Sequence, residues 1–396
     1  MKQVLSILLN LCFGLFAADA ISSVLDEALI VFFGVHVLSI FRGVVSLLAL
    51  LIAMAVYGLM ALTPMVPKRL FLPVTLFNPL AVLVMIPCVI YCYGRAEQVS
   101  LLISLGQVAV GLGILCWAKG KFNLRWPWIG EKQLGDRRFS WANLAVFLLL
   151  NILVLIPAVA VYLVLCAGLA VNHFTAGFLA LRPAGFTVQA RTYVRDDGKS
   201  IQLIPMAHIG DAAFYRKLSV SFPSNSIILM EGVSDVRNLI TNKVSYNRMA
   251  TSLGLAEQAE EFEPAQGEMV NADLDVEQFS RSTIDFLNVA MLVHGQGVKP
   301  ETIMKILQYS PPPHFEEALV EDILRKRNRR VLQEIRARLG ESETIIVPWG
   351  VAHMPEVAEE IQKSGFHLRD TRDYQVIRFG HMNKVKAAGQ GTPNKQ

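Results

Sequence analysis

The chain has 396 residues, room for two domains, and its 53% hydrophobic against 18% charged residues make it too apolar for an ordinary soluble pair. Divided near Gly185, it carries 12 Lys/Arg and 6 Asp/Glu before that point and 25 and 27 after it, which predicts a transmembrane helical domain over 1–184 and a soluble domain over 185–383. The soluble part is close to neutral and lacks a basic stripe interleaved with aromatics, so nothing favours a nucleic-acid partner.

In chain order, apolar runs long enough to cross a bilayer of roughly 30 Å lie at 44–62, 74–93, 99–117 and 141–170, with a shorter one at 4–20. The lipid bilayer is therefore the partner of a bundle of four or five spans. Lys2, an apolar core and Ala17-Ala18-Asp19-Ala20 also fit a cleaved signal, so the run at 4–20 reads either as a retained helix or as a signal sequence. Residues 24–41 are interrupted by Asp26, Glu27 and His36 and read as a helix lying against the bundle or the interface. No span shows a buried pair of ionisable residues marking an ion path, which disfavours a transporter. Pro157 predicts a kink in the last span. All five cysteines fall in the apolar part, so the soluble domain has neither a disulfide framework nor a thiolate metal site.

Short-loop charges set the orientation, because Lys and Arg are retained in the cytoplasm. Lys68 and Arg69 follow the second run, a lone Arg95 follows the third, and the loop 119–140 holds Lys119, Lys121, Arg125, Lys132, Arg137 and Arg138. That loop is expected inside, Lys2 inside, and the soluble domain extracytoplasmic, periplasmic or extracellular.

The soluble part alternates strand and helix. Residues 187–195 and 200–206 form a hairpin around Asp196-Asp197-Gly198-Lys199, and 212–220 is helical. Residues 226–230 are a buried strand, and 246–261 and 276–293 read as amphipathic helices. A long helix covers 316–339, a buried strand 344–347, a helix 355–363, and two closing strands 366–370 and 373–379. The tail 384–396 reads as disordered.

Three polar residues stand where buried strands end: His208, Glu231 and His353. Ligands of open α/β sheets bind at the carboxyl ends of strands. Two imidazoles and a carboxylate on one rim suit a divalent metal (Mn, Co or Zn) that polarises a carbonyl or activates a water. Asp211, three residues after His208, is a candidate for orienting it or for binding substrate. Glu356 follows His353 by three residues, but a carboxylate in a first helical turn is explained by the macrodipole. His294 and His314 read as structural or surface residues.

Pro205-Met206-Ala207-His208-Ile209-Gly210-Asp211, followed by Phe214-Tyr215, resembles the first histidine motif of the TraB/PrgY/GumN family, which includes the Tiki proteases. Gly350-Val351-Ala352-His353 is similar to its Gly-x-x-His motif. Glu231-Gly232, Asn271-Ala272-Asp273-Leu274-Asp275 and Arg327-Asn328 match its intervening elements in order. The chain departs from the pattern at Pro205, where the family has glycine. The resemblance implies a fold of the erythromycin esterase/ChaN-like type and metal-dependent peptide hydrolysis. It maps His208, Glu231 and His353 to the metal and catalytic centre and Arg327 to a transition-state or substrate contact. The expected function is a membrane-anchored metal-dependent hydrolase acting on a peptide or small-molecule substrate outside the cytoplasm. The alternatives are a non-catalytic protein that sequesters a peptide or haem-like ligand, and a membrane scaffold with a vestigial site.

Overall fold

The computed structural model describes residues 2–119, 125–241, 246–296, 299–300, 302, 304, 306 and 309–380. The stretch read as a disordered tail lies outside the described residues. The chain divides into two units, Met1–Leu169 and Ala170–Gln396.

Five helices, all beginning in the first unit, are long and apolar enough to cross a membrane: α1 (Lys2–Phe33), α2 (Ser39–Leu62), α3 (Lys68–Tyr91), α4 (Tyr93–Ala118) and α5 (Trp141–Phe174). These are the features of a multi-pass membrane protein. The first differs from expectation, since one unbroken helix covers the run at 4–20 and most of the segment assigned to the interface. Its inner face is apolar at first, through Leu9, Phe13 and Phe16. Farther along, the same face turns polar, burying Asp19, Asp26 and Glu27. Arg42 of α2 lies 3.4 Å from Asp26 and 2.6 Å from Glu27, so buried ionisable residues do pair inside the bundle, contrary to the sequence reading. Hydropathy windows treat such charges as interruptions, whereas a helix tolerates them where neighbours solvate them.

In α5 a π-helical turn occupies Asn151–Leu155 just before Pro157. Proline lacks the amide donor, and a widened turn is one way for a helix to absorb that loss. Asn151 bridges there between the Tyr57 hydroxyl and the Phe147 carbonyl, at 2.7 and 2.8 Å.

The second unit is built on a mixed sheet. Its strands are β1 (Leu179–Arg182), β2 (Gly185–Val194), β3 (Ser200–Met206), β5 (Ser226–Met230), β7 (Glu268–Asn271), β8 (Thr344–Gly350) and β9 (His367–Arg378), in the order β1-β2-β3-β8-β5-β7 with β9 along β2. The strands β4 (Ile209–Gly210) and β6 (Ala256–Glu257) make a separate antiparallel pair. The expected hairpin is present, with Thr192 opposite Gln202. The two closing strands are instead one, β9, in which the polar run Asp370–Asp373 pairs with Thr192–Gln189 of β2 in unbroken register, between two register shifts. The helix expected over 246–261 stops at Leu253, where Gly254 turns left-handed at φ 68° and gives way to β6.

β3, β8, β5 and β7 run parallel, so their carboxyl ends share one edge. α6 (Ala212–Ser219) follows β4, α7 (Arg281–Gln296) follows β7, and α8 (Phe315–Val320) leads through a π turn into α9 (Arg327–Arg338). α10 (Met354–Lys363) follows β8. Ile201, Leu203, Leu229, Ile345 and Val347 form the core on one side with Val331 and Ile335 of α9 and Val357 and Ile361 of α10. The opposite side packs Ile204, Ile228 and Ile346 against Phe214, Tyr215 and Leu218 of α6.

Pro205 sits inside β3, opposite Trp349. β2 pairs β3 only as far as Leu203, and β5 pairs β8 only as far as Ile346, so Pro205 and Pro348 lie where each strand has lost one neighbour. A proline, which cannot donate to a ladder, is accommodated there. β2 has left β3 and β5 has left β8 by these positions, while β3 and β8 stay paired to Met206 and Gly350, and the polar residues gather at that edge.

Candidate active site

Each of the four parallel strands delivers one polar residue at its carboxyl end: His208 after β3, His353 after β8, Glu231 after β5 and Asp273 after β7. Arg327, the first residue of α9, enters from the side and ties two of them together. Its Nη2 donates to Glu231 Oε1 and to Asp273 Oδ2, both at 2.6 Å, and its Nε donates to Asp273 Oδ1 at 2.9 Å. The Asp273 side chain is wholly buried. It also accepts from the backbone amides of Gly232 (3.0 Å) and Leu274 (2.8 Å), which lock the β5 and β7 exits together. Burial works to lower the Arg327 pKa, but the hydrogen bonds and charge of Asp273, with the charge of Glu231, hold it above the ordinary arginine value.

Trp349 underlies this network. Its indole Nε1 donates to the Leu229 carbonyl at 2.8 Å, past the point where β5 and β8 stop exchanging backbone bonds. The ring also lies 5.5 Å beneath the Arg327 guanidinium. Trp349→Phe should retain most of the packing but leave a buried carbonyl unpaired, destabilising the unit by about 1–3 kcal/mol. Faster hydrogen exchange in β5 and β8 than in α1 would register the loss; unchanged exchange would refute it.

His353 is almost fully buried. Its Nδ1 lies 2.6 Å from Asn328 Oδ1, and Asn328 Nδ2 donates to Glu356 Oε2 at 2.7 Å. The carboxylate fixes the amide's orientation, so Nδ1 must carry the proton and Nε2 the lone pair. Burial, reinforced by the Arg327 cation and only partly opposed by Glu231 and Asp273, pushes the His353 pKa down to about 4. The ring is therefore neutral near pH 7. Its Nε2 faces Glu231 Oε1 at 3.6 Å, and the other Glu231 oxygen accepts from the Gly350 amide. Two acceptors thus face each other without a proton between them, an arrangement completed by a water that donates to both or by a cation.

His208 lines a cleft of about 500 Å³ together with Glu231, Arg327, Tyr246 and Glu257. Its exposed ring stacks on Tyr246 at 5.1 Å, and its carbonyl accepts from the Gln258 amide at 2.8 Å through the β4–β6 pairing. Asp211 turns elsewhere: its Oδ2 is 3.6 Å from Arg378 Nε and has no hydrogen-bond partner among the described residues. Glu356 acts through Asn328 rather than beside His353 Nε2. His314 is exposed, 3.8 Å from Glu317. The side chain of His294 lies outside the described residues.

Among the described residues no three ligating side chains are close enough to hold a metal ion as they stand. The chemistry of the His353–Glu231 pair nevertheless fits part of a metal shell, because a neutral imidazole with a free Nε2 and a carboxylate oxygen converge on one point. Asn328 and Glu356 supply the outer hydrogen bonds that orient such a histidine.

The sequence reading did not single out Asp273, Asn328, Trp349 or Tyr246 as site residues. The first two had a signal in the matched segments containing them. Comparison of the chain with protein-family models, with curated proteins and with solved structures finds no match.

Proposed function

We propose that the second unit is a hydrolase of peptide or amide bonds, carried by a membrane-anchored chain and facing outside the cytoplasm. The observation that carries this reading is the approach of His353 Nε2 to Glu231 Oε1, 3.6 Å apart, with Glu231 lining the cleft. A water donating to both would present its lone pairs to a carbonyl in the cleft. Glu231 then takes the water's proton at Oε1 as general base and returns it to the amine nitrogen as the C–N bond breaks. Arg327, fixed by Asp273, offers positive charge to the developing oxyanion. His353, Glu231 and His208 from across the cleft are the residues that would hold a divalent metal (Mn, Co or Zn). When bound, such an ion would lower the pKa of water and polarise the carbonyl. Resemblance to the TraB/PrgY/GumN family and its erythromycin esterase/ChaN-like fold supports the same reading, and the Lys/Arg-rich loop at 119–140 supports the orientation.

Assays of the purified full-length chain against a peptide library, with and without Mn, Co or Zn, test the proposal. His353→Ala should lower turnover by roughly a hundredfold or more, the scale of a lost acid-base or water-binding group. Full activity in a chelator would refute the metal requirement, and wild-type turnover by His353→Ala would refute the site. Saturable peptide or haem binding without turnover would instead identify a sequestering protein, for which the exposed His208–Tyr246 stack is the contact surface.

A further inference from the structure

The helical unit contains a second cavity, of about 400 Å³, where α1, α2, α3 and α4 meet. Asp19, Ser23 and Glu27 recur at intervals of four along α1 and line one side of it. The charges there do not balance. Arg42 is the cation for Asp26 and Glu27, and Glu27 also accepts from Ser100 and, at 2.6 Å, from Ser104. Asp19 is 2% exposed, and its partners are neutral: Ser46, Asn78 at 3.0 Å and Gln107 at 2.9 Å. Ser23 is 4% exposed and lines the cavity, and its hydroxyl has no hydrogen-bond partner among the described residues. A buried carboxylate without a cation, one turn from an unpaired hydroxyl, calls for a positively charged donor.

We propose that this cavity binds an organic ammonium, with its NH₃⁺ group on Asp19 and Ser23 and its hydrocarbon along the apolar wall of Leu47, Phe77, Val82 and Met85. A bare metal ion fits less well. Among the described residues no three acidic, imidazole or thiol groups gather around one point, and the volume greatly exceeds the roughly 30 Å³ of one water. The combination of one carboxylate with only neutral partners and an apolar wall matches a short amphiphilic monocation. The inference is independent of the hydrolase reading, since every residue it uses belongs to the first unit.

The test is calorimetric titration of the full-length protein in detergent with butylammonium chloride, against butanol and sodium chloride as controls. Saturable binding of butylammonium, absent with both controls, is expected. Asp19→Asn should weaken it roughly tenfold or more, as loss of a charge-assisted hydrogen bond would. Ser23→Ala leaves the bonds of Asp19 in place and serves if Asp19→Asn does not fold; it should weaken binding several-fold. Ala81→Phe, which fills the cavity, should abolish it. Equal binding of butanol, equal binding of sodium, or affinity unchanged by both Ser23→Ala and Ala81→Phe would overturn the proposal.

Discussion

Asp273→Ala should destabilise the α/β unit by about 3–5 kcal/mol, the range found when one partner of a buried ion pair is removed. The carboxylate is wholly buried and accepts from Arg327 Nε and Nη2 and from the amides of Gly232 and Leu274. Alanine leaves all of these donors facing a void. Arg327 cannot escape by losing its proton, because arginine stays charged at any working pH. Glu231 would remain its carboxylate partner, at 2.6 Å on Nη2, so the guanidinium should pivot toward it and leave the register that holds Glu231 against Gly350 and His353. Activity should therefore fall with stability, although Asp273 does not line the cleft. Asp273→Asn, which keeps the shape and one acceptor oxygen, should be milder. Hydrogen exchange at the β5 and β7 exits in the full-length chain reads the effect locally, as a two-unit protein requires. A loss below about 1 kcal/mol would show that the ion pair is not buried as described.

The legibility of this protein follows the physics of each element. β3, β5 and β8 carry runs of buried Ile, Leu and Val, so both their positions and the polar residues at their ends were readable. β7 was not. Glu268-Met269-Val270-Asn271 has a single strand neighbour, β5, and is mostly exposed, so its residues show no apolar run. Without β7, Asp273 has no visible reason to stand beside Arg327. The Asn328–His353 bond joins a helix to a short 3-10 turn 25 residues away, and no periodicity encodes that. In the membrane unit the opposite error occurred: Asp26 and Glu27 were read as breaking a span, yet Asp19, Ser23 and Glu27 share the helical interval that places them on one inner face. The run at Asp370–Asp373 looked like a turn because it is polar, and it is polar because that part of β9 is exposed.

The α/β unit should lose stability as pH falls from about 6.5 toward 4, and His353 sets that window. In the unfolded chain its imidazole titrates near the ordinary value of 6.5, whereas in the fold burial and then the Arg327 cation lower it to about 4. Between those values the unfolded state binds the extra proton and the native state does not. Stability therefore rises with pH across the interval, is complete above the unfolded pKa, and has been lost once pH reaches the folded one. The full interval corresponds to about 3 kcal/mol. The loss should be seen with chelator present, so that no ion competes with the proton for Nε2. His353→Gln should flatten this part of the profile, since an amide does not titrate, while other groups continue to shape it at lower pH. The measurement is hydrogen exchange of β8 and α10 amides at a series of pH values, corrected for intrinsic rates and compared between the two proteins. A wild-type profile no steeper than that of His353→Gln between pH 4 and 6.5 would mean that His353 is protonated in the native protein below about pH 6.5, as it is in the unfolded chain. Nε2 would then carry a proton toward Glu231 Oε1, a donor and an acceptor where the hydrolase reading needs two acceptors.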